Sequence, residues 1–575
     1  MYAFRMSVSR KVPARAFRLL WWAPALVLAG IFHFSALDRL PPGVCYDGAT
    51  LACFASNLAR GEPPMAGLEE LEGIGTYRKI WSQAVLPASA LTALTAELAG
   101  IPPERMERAE LLFEASAGFL ACLFLGILAW VMTGSPLLGA AALVGLACTP
   151  GHFLQARAGP HLFALPLPFW TGAALFLWLG REKGKWAWGI LGWALVGLSG
   201  LFFYASLAGL PLFALLLTWF GAAGELGRRE KFRRLLLGIL AALGAYLLPA
   251  MAVGAAWGQG PFSVPAATVR FYLGQRGMYA PPGVPYVFLP FRRFYDLLSQ
   301  VYGGDPPLYP YQAEVYMWIV PGRLLLPVTL QLLLVWAALR GFFRKDGNGA
   351  FKTWILPGIL IQPVLVVLLT SGEIRYVAPS FAFAVLAGVL ACRPPAGRGD
   401  PGPFGGVFLV LAVLLAAGEG AVTGFSAHAK NHWGVKPIYV GLDAPVKSLE
   451  EVTAGKDPGT LRVLCTWYPE IRYHLALLSD MRLCPYVGDL EGLLSEKLTK
   501  AIEEGKLDGK ATPDMVLQGA RLLGAAGKRT GTLWILGLSR EARMKALGRW
   551  LGIRPWKTFP HPYGKGLQWW IYRIP

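Results

Sequence analysis

Residues 19–50 read LLWWAPALVLAGIFHFSALDRLPPGVCYDGAT: an almost wholly apolar run, then a polar step at Asp38-Arg39, then a Pro-Pro-Gly turn that leads to Asp47. The segment before this run, residues 1–18, is basic and carries no acidic residue. That pattern is typical of a cytoplasmic flank. No small-x-small cleavage site precedes Asp38, so we expect a retained first transmembrane helix and not a cleaved signal peptide.

The composition extends this conclusion to the whole chain. Of 575 residues, 55% are hydrophobic and only 15% are charged, and the mean hydropathy is +0.45. Such a chain is too apolar for a soluble domain of this length and too long for a single span. The formal charge of +19 falls mainly in short loops between apolar runs, where it reports membrane topology and not a nucleic-acid partner.

Apolar runs long enough to cross the bilayer recur along the chain, and we predict eleven spans. They lie at 19–37, 109–133, 135–154, 161–180, 186–204, 206–222, 235–257, 318–340, 353–371, 376–392 and 405–425. With a cytoplasmic N-terminus, the cytoplasmic loops are 181–185, 228–234, 340–352 and 393–398, and all four are basic. This agrees with the positive-inside rule. We therefore expect a multi-pass protein of the inner (cytoplasmic) membrane whose C-terminal region is extracytoplasmic.

On the outer side the sequence predicts two long loops, 38–108 and 258–317. In the first loop, residues 49–60 and 83–98 have apolar residues at helical spacing, which predicts helices lying on the membrane surface. The second loop is rich in Tyr, Pro and Arg and suits an interfacial wall for a substrate.

A compositional change near residue 426 divides the chain into a transmembrane domain, 1–425, and an extracytoplasmic α/β domain, 426–575. In the second domain we predict strands at 461–465, 532–537 and 568–572. Helices are predicted near 489–504, 513–526 and 540–551.

The seven cysteines show no C-x-x-C spacing, so they indicate no zinc or iron–sulfur site. Cys465 and Cys484 are either a disulfide of the outer domain or two small buried residues. The sequence indicates no cofactor; a divalent metal would be compatible with the chemistry considered below, but no motif indicates one.

Asp47 allows two interpretations. Pro-Pro-Gly and Asp-Gly both favour turns, so Asp47 could be a turn residue. Alternatively it is a general base at the membrane surface, where partial desolvation raises the pKa of a carboxylate toward a useful value. Tyr46 precedes it directly.

Cations are predicted on the outer side, where the topology rule expects few. Arg157 and His161 lie at the junction of the third and fourth spans, and Arg375 and Tyr376 lie at the junction of the ninth and tenth. Each arginine could be an interfacial residue that snorkels to water. Together they favour a phosphate-bearing ligand, because guanidinium groups bind phosphate in bidentate fashion.

Two further cationic segments lie in the outer loops. Arg270 belongs to the second loop, and Arg78-Lys79 belong to the first, just before the predicted helix at 83–98. Arg78 and Lys79 are either surface charge or additional phosphate ligands. No P-loop, dinucleotide-binding, H-E-x-x-H or G-x-S-x-G motif occurs, which removes the usual support for ATP-driven transport and metalloprotease chemistry.

These pieces, in this order, resemble the GT-C glycosyltransferases, which use polyprenyl-phosphate sugars, in particular protein O-mannosyltransferases and the lipid A aminoarabinose transferase. The resemblance covers residues 18–425. It rests on LPPGVCYD at 40–47, ASNLARGE at 55–62, RAGPH at 157–161 and RYVAP at 375–379.

The resemblance implies that Asp47 is the catalytic residue and that the basic pair Arg78-Lys79 lies near the donor phosphate. Two positions depart from the family pattern: Gly48 stands where a second acid is common, and Ile80-Trp81 stand where prolines are common.

We therefore expect an inverting transferase that moves a sugar from a polyprenyl-phosphate donor to a protein, lipid A or glycan acceptor at the outer face of the membrane. Asp47 would be the base. Two alternatives are a transporter of lipids or solutes and a catalytically inactive GT-C-like subunit that binds lipid. The transporter predicts ionisable residues deep within the spans, where the sequence shows few; Glu114, near one end, is an exception.

Overall fold

A computed structural model describes most of the helical part of the chain and the strands of the C-terminal region. The described residues are 22–37, 46–68, 75–157, 166–182, 185–202, 209–220, 227–256, 260, 262–267, 327–343, 354–369, 378–392, 403–429, 441–457, 461–465, 471–489, 532–538, 553–561 and 568–574.

Fourteen helices with described bounds precede the C-terminal region, together with a short helical segment at 263–267. They are α1 Trp22–Phe34, α2 Tyr46–Ala59, α3 Gly75–Ala99, α4 Met106–Thr133, α5 Pro136–Ala147, α6 Pro150–Arg157, α7 Pro166–Glu182, α8 Trp186–Ser199, α9 Leu210–Phe220, α10 Arg228–Ala256, α11 Val328–Phe343, α12 Leu356–Leu369, α13 Ala378–Ala391 and α14 Pro403–Ala429. Short 3₁₀ turns cover Pro103–Arg105 and Gly200–Phe202.

A helix overlies each of the eleven predicted spans. By length and composition, the segments Pro103–Thr133, Arg228–Ala255 and Gly405–Val422 are each sufficient to cross a membrane, and shorter apolar helices accompany them in the described residues. The protein is a membrane protein. The number of helices that cross the bilayer, and the side on which each loop lies, remain predictions.

One predicted span is divided. Residues 135–154 form α5 and α6, with a break at Cys148-Thr149. Pro150 begins α6, because a proline has no N–H to continue the preceding helix but is accommodated in a first turn.

Helix α4 is the centre of the bundle. It contains 28 residues, about 42 Å of helix, and contacts α1, α2, α3, α5, α6, α7 and α13. Glycines allow the closest of these approaches: a Cβ built on Gly139 of α5 would lie 2.8 Å from the carbonyl oxygen of Gly126 in α4. Small residues at such crossings let helices pack without a gap in an apolar medium.

The C-terminal region forms an α/β domain around a mixed sheet. Its elements are α15 Asp443–Thr453, β1 Leu461–Cys465, α16 Ile471–Leu478, β2 Val487–Asp489, β3 Thr532–Leu538, β4 Lys557–Pro560 and β5 Gln568–Ile574. The strand order is β2-β1-β3-β5-β4. Strand β1 pairs in parallel with β2 and β3, whereas β5 pairs antiparallel with β3 and β4.

The predicted α/β class and all three predicted strands are confirmed. The predicted helices at 513–526 and 540–551 lie outside the described residues, as does 489–504 apart from Asp489, which ends β2. Cys465 in β1 and Cys484 after α16 are both buried.

Helix α2 differs from its prediction as a helix on the membrane surface. Every residue from Gly48 to Asn57 is buried, because α3 and α4 cover part of the helix and α16 of the C-terminal domain covers another part. The Cys53 thiol donates to the carbonyl oxygen of Tyr473 at 3.3 Å. Arg60, which follows α2, forms an ion pair with Asp480, which follows α16.

Candidate functional site

The predicted catalytic residue lies at the start of the buried helix. Tyr46 and Asp47 are the first two residues of α2, so the backbone of Asp47 is helical and does not form the tight turn that its Asp-Gly sequence favours. The side chains of both residues and the preceding segment 38–45 lie outside the described part of the chain. An aspartate in a first helical turn is favoured by the unpaired N–H groups there.

Arg157, the last residue of α6, contacts the C-terminal end of α1, from which the chain continues to α2 and Asp47. Its guanidinium donates to the carbonyl oxygen of Phe32 at 2.9 Å through Nη1 and to that of Ser35 at 2.5 Å through Nη2. These carbonyls belong to the last turn of α1 and the residue after it, whose oxygens have no partner within the helix. Arg157, itself fully buried, thus caps α1 where the chain leaves toward Asp47.

Neighbouring rings reinforce this cap. Phe153, one turn before Arg157 in α6, packs against Phe32 with ring centroids 5.1 Å apart. The sequence predicts that Arg157 binds a phosphate. The two contacts described above are to backbone oxygens, and a phosphate contact of this side chain remains a prediction.

Arg78 and Lys79 occupy a different element from the one predicted. Helix α3 begins at Gly75, eight residues before the predicted start, which places both residues in its first turns and not in the loop before it. The apolar periodicity that marked the helix begins only near residue 83, because the first turns of α3 are polar and basic. The side chains of Arg78 and Lys79 lie outside the described residues.

Four other predicted site residues lie outside the described residues altogether. They are His161, Arg270, Arg375 and Tyr376.

The structure adds a pair of acidic residues that the sequence analysis did not treat as a site. Glu110 and Glu114 are one turn apart on α4 and both fully buried. Thr92 of α3 donates to Glu110 Oε2 at 2.7 Å. Glu110 Oε1 and both carboxylate oxygens of Glu114 have no hydrogen-bond partner among the described residues. The i, i+4 spacing in the sequence was the available signal, and Glu114 was noted only as an exception near the end of a span.

Such a pair is energetically demanding. A buried carboxylate without a partner has a high desolvation cost, and two within one turn add mutual repulsion if both are ionised. Buried ionisable groups in membrane helices are uncommon and often functional.

Solved structures share this architecture. The archaeal oligosaccharyltransferase AglB from Archaeoglobus fulgidus, in complex with an inhibitory peptide and a dolichol-phosphate, is similar with a TM-score of 0.55 and 12% identity over 93% of this chain and 71% of that chain. ArnT from Cupriavidus metallidurans in the apo state is similar with a TM-score of 0.56 and 12% identity over 98% of each chain. This chain has the fold of these solved structures.

The structure of ArnT bound to undecaprenyl phosphate has the same fold, with a TM-score of 0.53 and 11% identity over 98% of each chain. No protein-family model and no curated protein matches the sequence. The expected likeness to the GT-C transferases is thereby confirmed at the level of the fold.

Proposed function

We propose that this protein is a membrane glycosyltransferase that moves a sugar from a polyprenyl-phosphate donor to a protein, lipid A or glycan acceptor at the outer face of the cytoplasmic membrane. The observation that carries the proposal is the fold. It is shared with AglB and ArnT, solved with a dolichol-phosphate and with undecaprenyl phosphate respectively. Asp47, from the motif at 40–47, and Arg157, from the motif at 157–161, lie at the ends of helices that contact α4, the centre of this fold.

In the proposed mechanism Asp47 accepts the proton of the acceptor as that acceptor attacks the anomeric carbon. The bond from this carbon to the donor phosphate breaks on the opposite face, which inverts the configuration. General-base catalysis of this kind contributes about 10²–10⁴-fold. Tyr46, at the start of the same helix, would contact the substrate.

Cations are proposed to stabilise the charge that develops on the leaving phosphate. This group comprises Arg157, Arg375, Lys79, Arg78 and Arg270, with His161 and Tyr376 as further substrate contacts. No nucleotide takes part in this reaction.

The proposed topology places the N-terminus in the cytoplasm and both the outer loops and the domain at 426–575 outside. The contact between α2 and α16 supports this arrangement, because it requires the residues after Asp47 and the C-terminal domain to be on the same side.

A transporter of lipids or solutes is the second candidate, supported by a buried acidic pair near one end of α4. Glu110 and Glu114 are ionisable residues buried within an apolar helix, and coupling ions commonly bind such groups. A catalytically inactive GT-C-like subunit is the third, and the glycine at position 48 supports it.

The deciding experiment is a transfer assay with the purified full-length chain, polyprenyl-phosphate-linked sugars and candidate acceptors. We expect a glycosylated product of inverted configuration. We expect Asp47→Asn to bind the donor but lose turnover by about 10²–10⁴-fold. Asp38→Asn, in the same outer segment, is the matched control and should keep wild-type turnover.

The other outcomes separate the candidates. Full turnover of Asp47→Asn would remove the mechanism. Donor binding without transfer to any acceptor would favour the inactive subunit. Flux across proteoliposomes without a covalent product would favour the transporter.

A further inference from the structure

Three metal-binding side chains from three different helices meet inside the bundle. His33 comes from α1, Cys122 from α4 and His152 from α6, and all three are buried. The candidate ligand atoms of the three residues lie within 4.8 Å of one another. Their positions, 119 and 30 residues apart in sequence for the two contacts of His152, match no metal-binding motif, so the sequence analysis did not identify them.

The spacing of the donor atoms around His152 fits a coordination sphere. From His152 Nε2, the distances are 3.3 Å to His33 Nε2, 3.4 Å to Cys122 Sγ and 3.1 Å to the carbonyl oxygen of Gly118. A metal ion about 2.0 Å from nitrogen and about 2.3 Å from sulfur in tetrahedral geometry holds N and N about 3.3 Å apart, and N and S about 3.6 Å apart.

The hydrogen bonding of His33 prepares it for this role. Its Nδ1 lies 2.9 Å from the carbonyl oxygen of Ala29, to which it can only donate. This contact fixes the tautomer and leaves the lone pair of Nε2 directed toward His152. A backbone carbonyl on the far ring nitrogen is the usual support of a metal-bound histidine.

The described hydrogen bonds leave one polar atom of the cluster without a partner. His152 Nδ1 is buried and has no hydrogen-bond partner among the described residues. Gly118 leaves room for the two imidazoles, since a Cβ there would lie 3.0 Å from the His33 ring and 2.7 Å from Ala156 Cβ. A larger residue at this position of α4 would close the site.

We infer that His33, Cys122 and His152 bind one thiophilic metal ion, Cu⁺ or Zn²⁺, with the Gly118 carbonyl as a weak fourth donor. Two imidazoles and a thiolate select these soft or borderline ions over Mg²⁺ and Ca²⁺. With Cu⁺ the thiolate gives a neutral site, which reduces the cost of burial in an apolar bundle; with Zn²⁺ the site keeps one positive charge.

The position of the cluster indicates a structural role. His33 lies within two residues of both carbonyls that Arg157 binds, so a metal would fasten the end of α1 to α4 and α6 directly before the segment that leads to Asp47. This inference does not depend on the proposed glycosyl transfer.

The test is the metal content of the full-length protein, purified in detergent without chelator from cells grown with added copper or zinc. We expect one copper or zinc ion per chain, with the identity given by elemental mass spectrometry. The ion should be lost in Cys122→Ser and in His152→Ala and retained in Cys148→Ser. Cys148 is an equally buried cysteine outside the cluster, whose Sγ donates to the Gly145 carbonyl oxygen, which makes it the matched control.

Cobalt provides a second measurement that does not depend on how well the variants fold. Wild type and Cys148→Ser, stripped of metal and given Co²⁺, should gain a thiolate-to-cobalt absorption band that Cys122→Ser lacks. The inference is overturned if wild type contains no more copper or zinc than Cys122→Ser, or if it binds Co²⁺ without this band.

Discussion

Arg157, in α6, donates to the carbonyl oxygen of Phe32, in α1, across 125 residues of sequence and a distance of 2.9 Å. The contact joins the C-terminal end of the first helix to a helix junction for which the sequence predicts ligand binding. A buried cation at a helix C-terminus stabilises it through both hydrogen bonding and the helix dipole. This residue therefore stabilises the fold whatever ligand it also binds.

Replacement of Arg157 by alanine is expected to destabilise the protein by about 2–3 kcal/mol, because two charge-assisted hydrogen bonds are lost, one buried and one part-buried. Arg157→Lys should recover only part of the lost stability, since one ammonium group cannot donate to both carbonyls in the geometry of the planar guanidinium. Thermal unfolding of the purified protein in detergent measures both variants.

Arg105→Ala provides the comparison. Its ion pair with Glu107 is long, at 3.8 Å, and half exposed, so its loss should cost less than about 1 kcal/mol. An Arg157→Ala protein as stable as Arg105→Ala would show that the cap contributes nothing.

The crossing of α4 and α5 gives a second prediction, in which two glycine-to-alanine changes have opposite signs. Gly139→Ala should destabilise the protein by about 1–3 kcal/mol, because its Cβ would lie 2.8 Å from the Gly126 carbonyl oxygen and from Trp130 Cβ. Gly244→Ala, in the middle of α10, meets no atom within 4 Å and should stabilise it by about 0.5–1 kcal/mol. A melting temperature that Gly139→Ala leaves unchanged or raises would contradict the close approach.

The elements of this fold differ in how well the sequence predicts them. The helix positions follow from long apolar runs, and the three longer strands follow from short runs rich in apolar and aromatic residues, both of which are local signals. The start of α3 was misplaced because its first turns lack apolar residues, and α2 was assigned to the membrane surface because the domain that covers it lies some 400 residues later in the chain.

The candidate site could be predicted less completely than the helices, because its contacts join residues that are far apart in the sequence. The order of the motifs predicted the GT-C fold, but the backbone partners of Arg157 and the meeting of His33 with His152 depend on how three helices cross. The spacing of residues in the sequence does not predict which side chains meet where these helices cross. Asp47 was found from its position after the first span and remains a proposal.

The ion pair between Arg60 and Asp480 predicts coupling between α2 and the C-terminal domain. Asp480 has a left-handed backbone (φ 52°), which asparagine also tolerates, so Asp480→Asn removes the charge with little strain. In a double-mutant cycle with Arg60→Gln we expect a coupling free energy of about 0.5–1 kcal/mol, as both side chains are partly exposed.

Protection of α16 against hydrogen exchange is the measurement for this cycle. Each single variant should lower the protection, and the double variant should lower it by less than the sum. Strict additivity would mean that the pair does not hold the two regions together.

The buried pair on α4 gives the last prediction. Glu114→Gln keeps the shape of the side chain and removes a carboxylate whose two oxygens have no partner in the described part of the chain. Since burying an unpaired charge is costly, the variant should be at least as stable as wild type. Thr92→Val, which removes the described hydrogen bond to Glu110, should instead lose about 1 kcal/mol.

The same variant separates the two leading functions. If the protein is a transferase with Asp47 as base, Glu114→Gln should keep its rate of sugar transfer, because Glu114 lies two turns into α4 and takes no part in the proposed chemistry. If it is a transporter that uses the pair to bind a coupling ion, flux in proteoliposomes should fall sharply with the charge while the protein stays folded. Loss of transfer without loss of thermal stability would contradict the assignment of Glu114 as a bystander and would make the pair part of the active site.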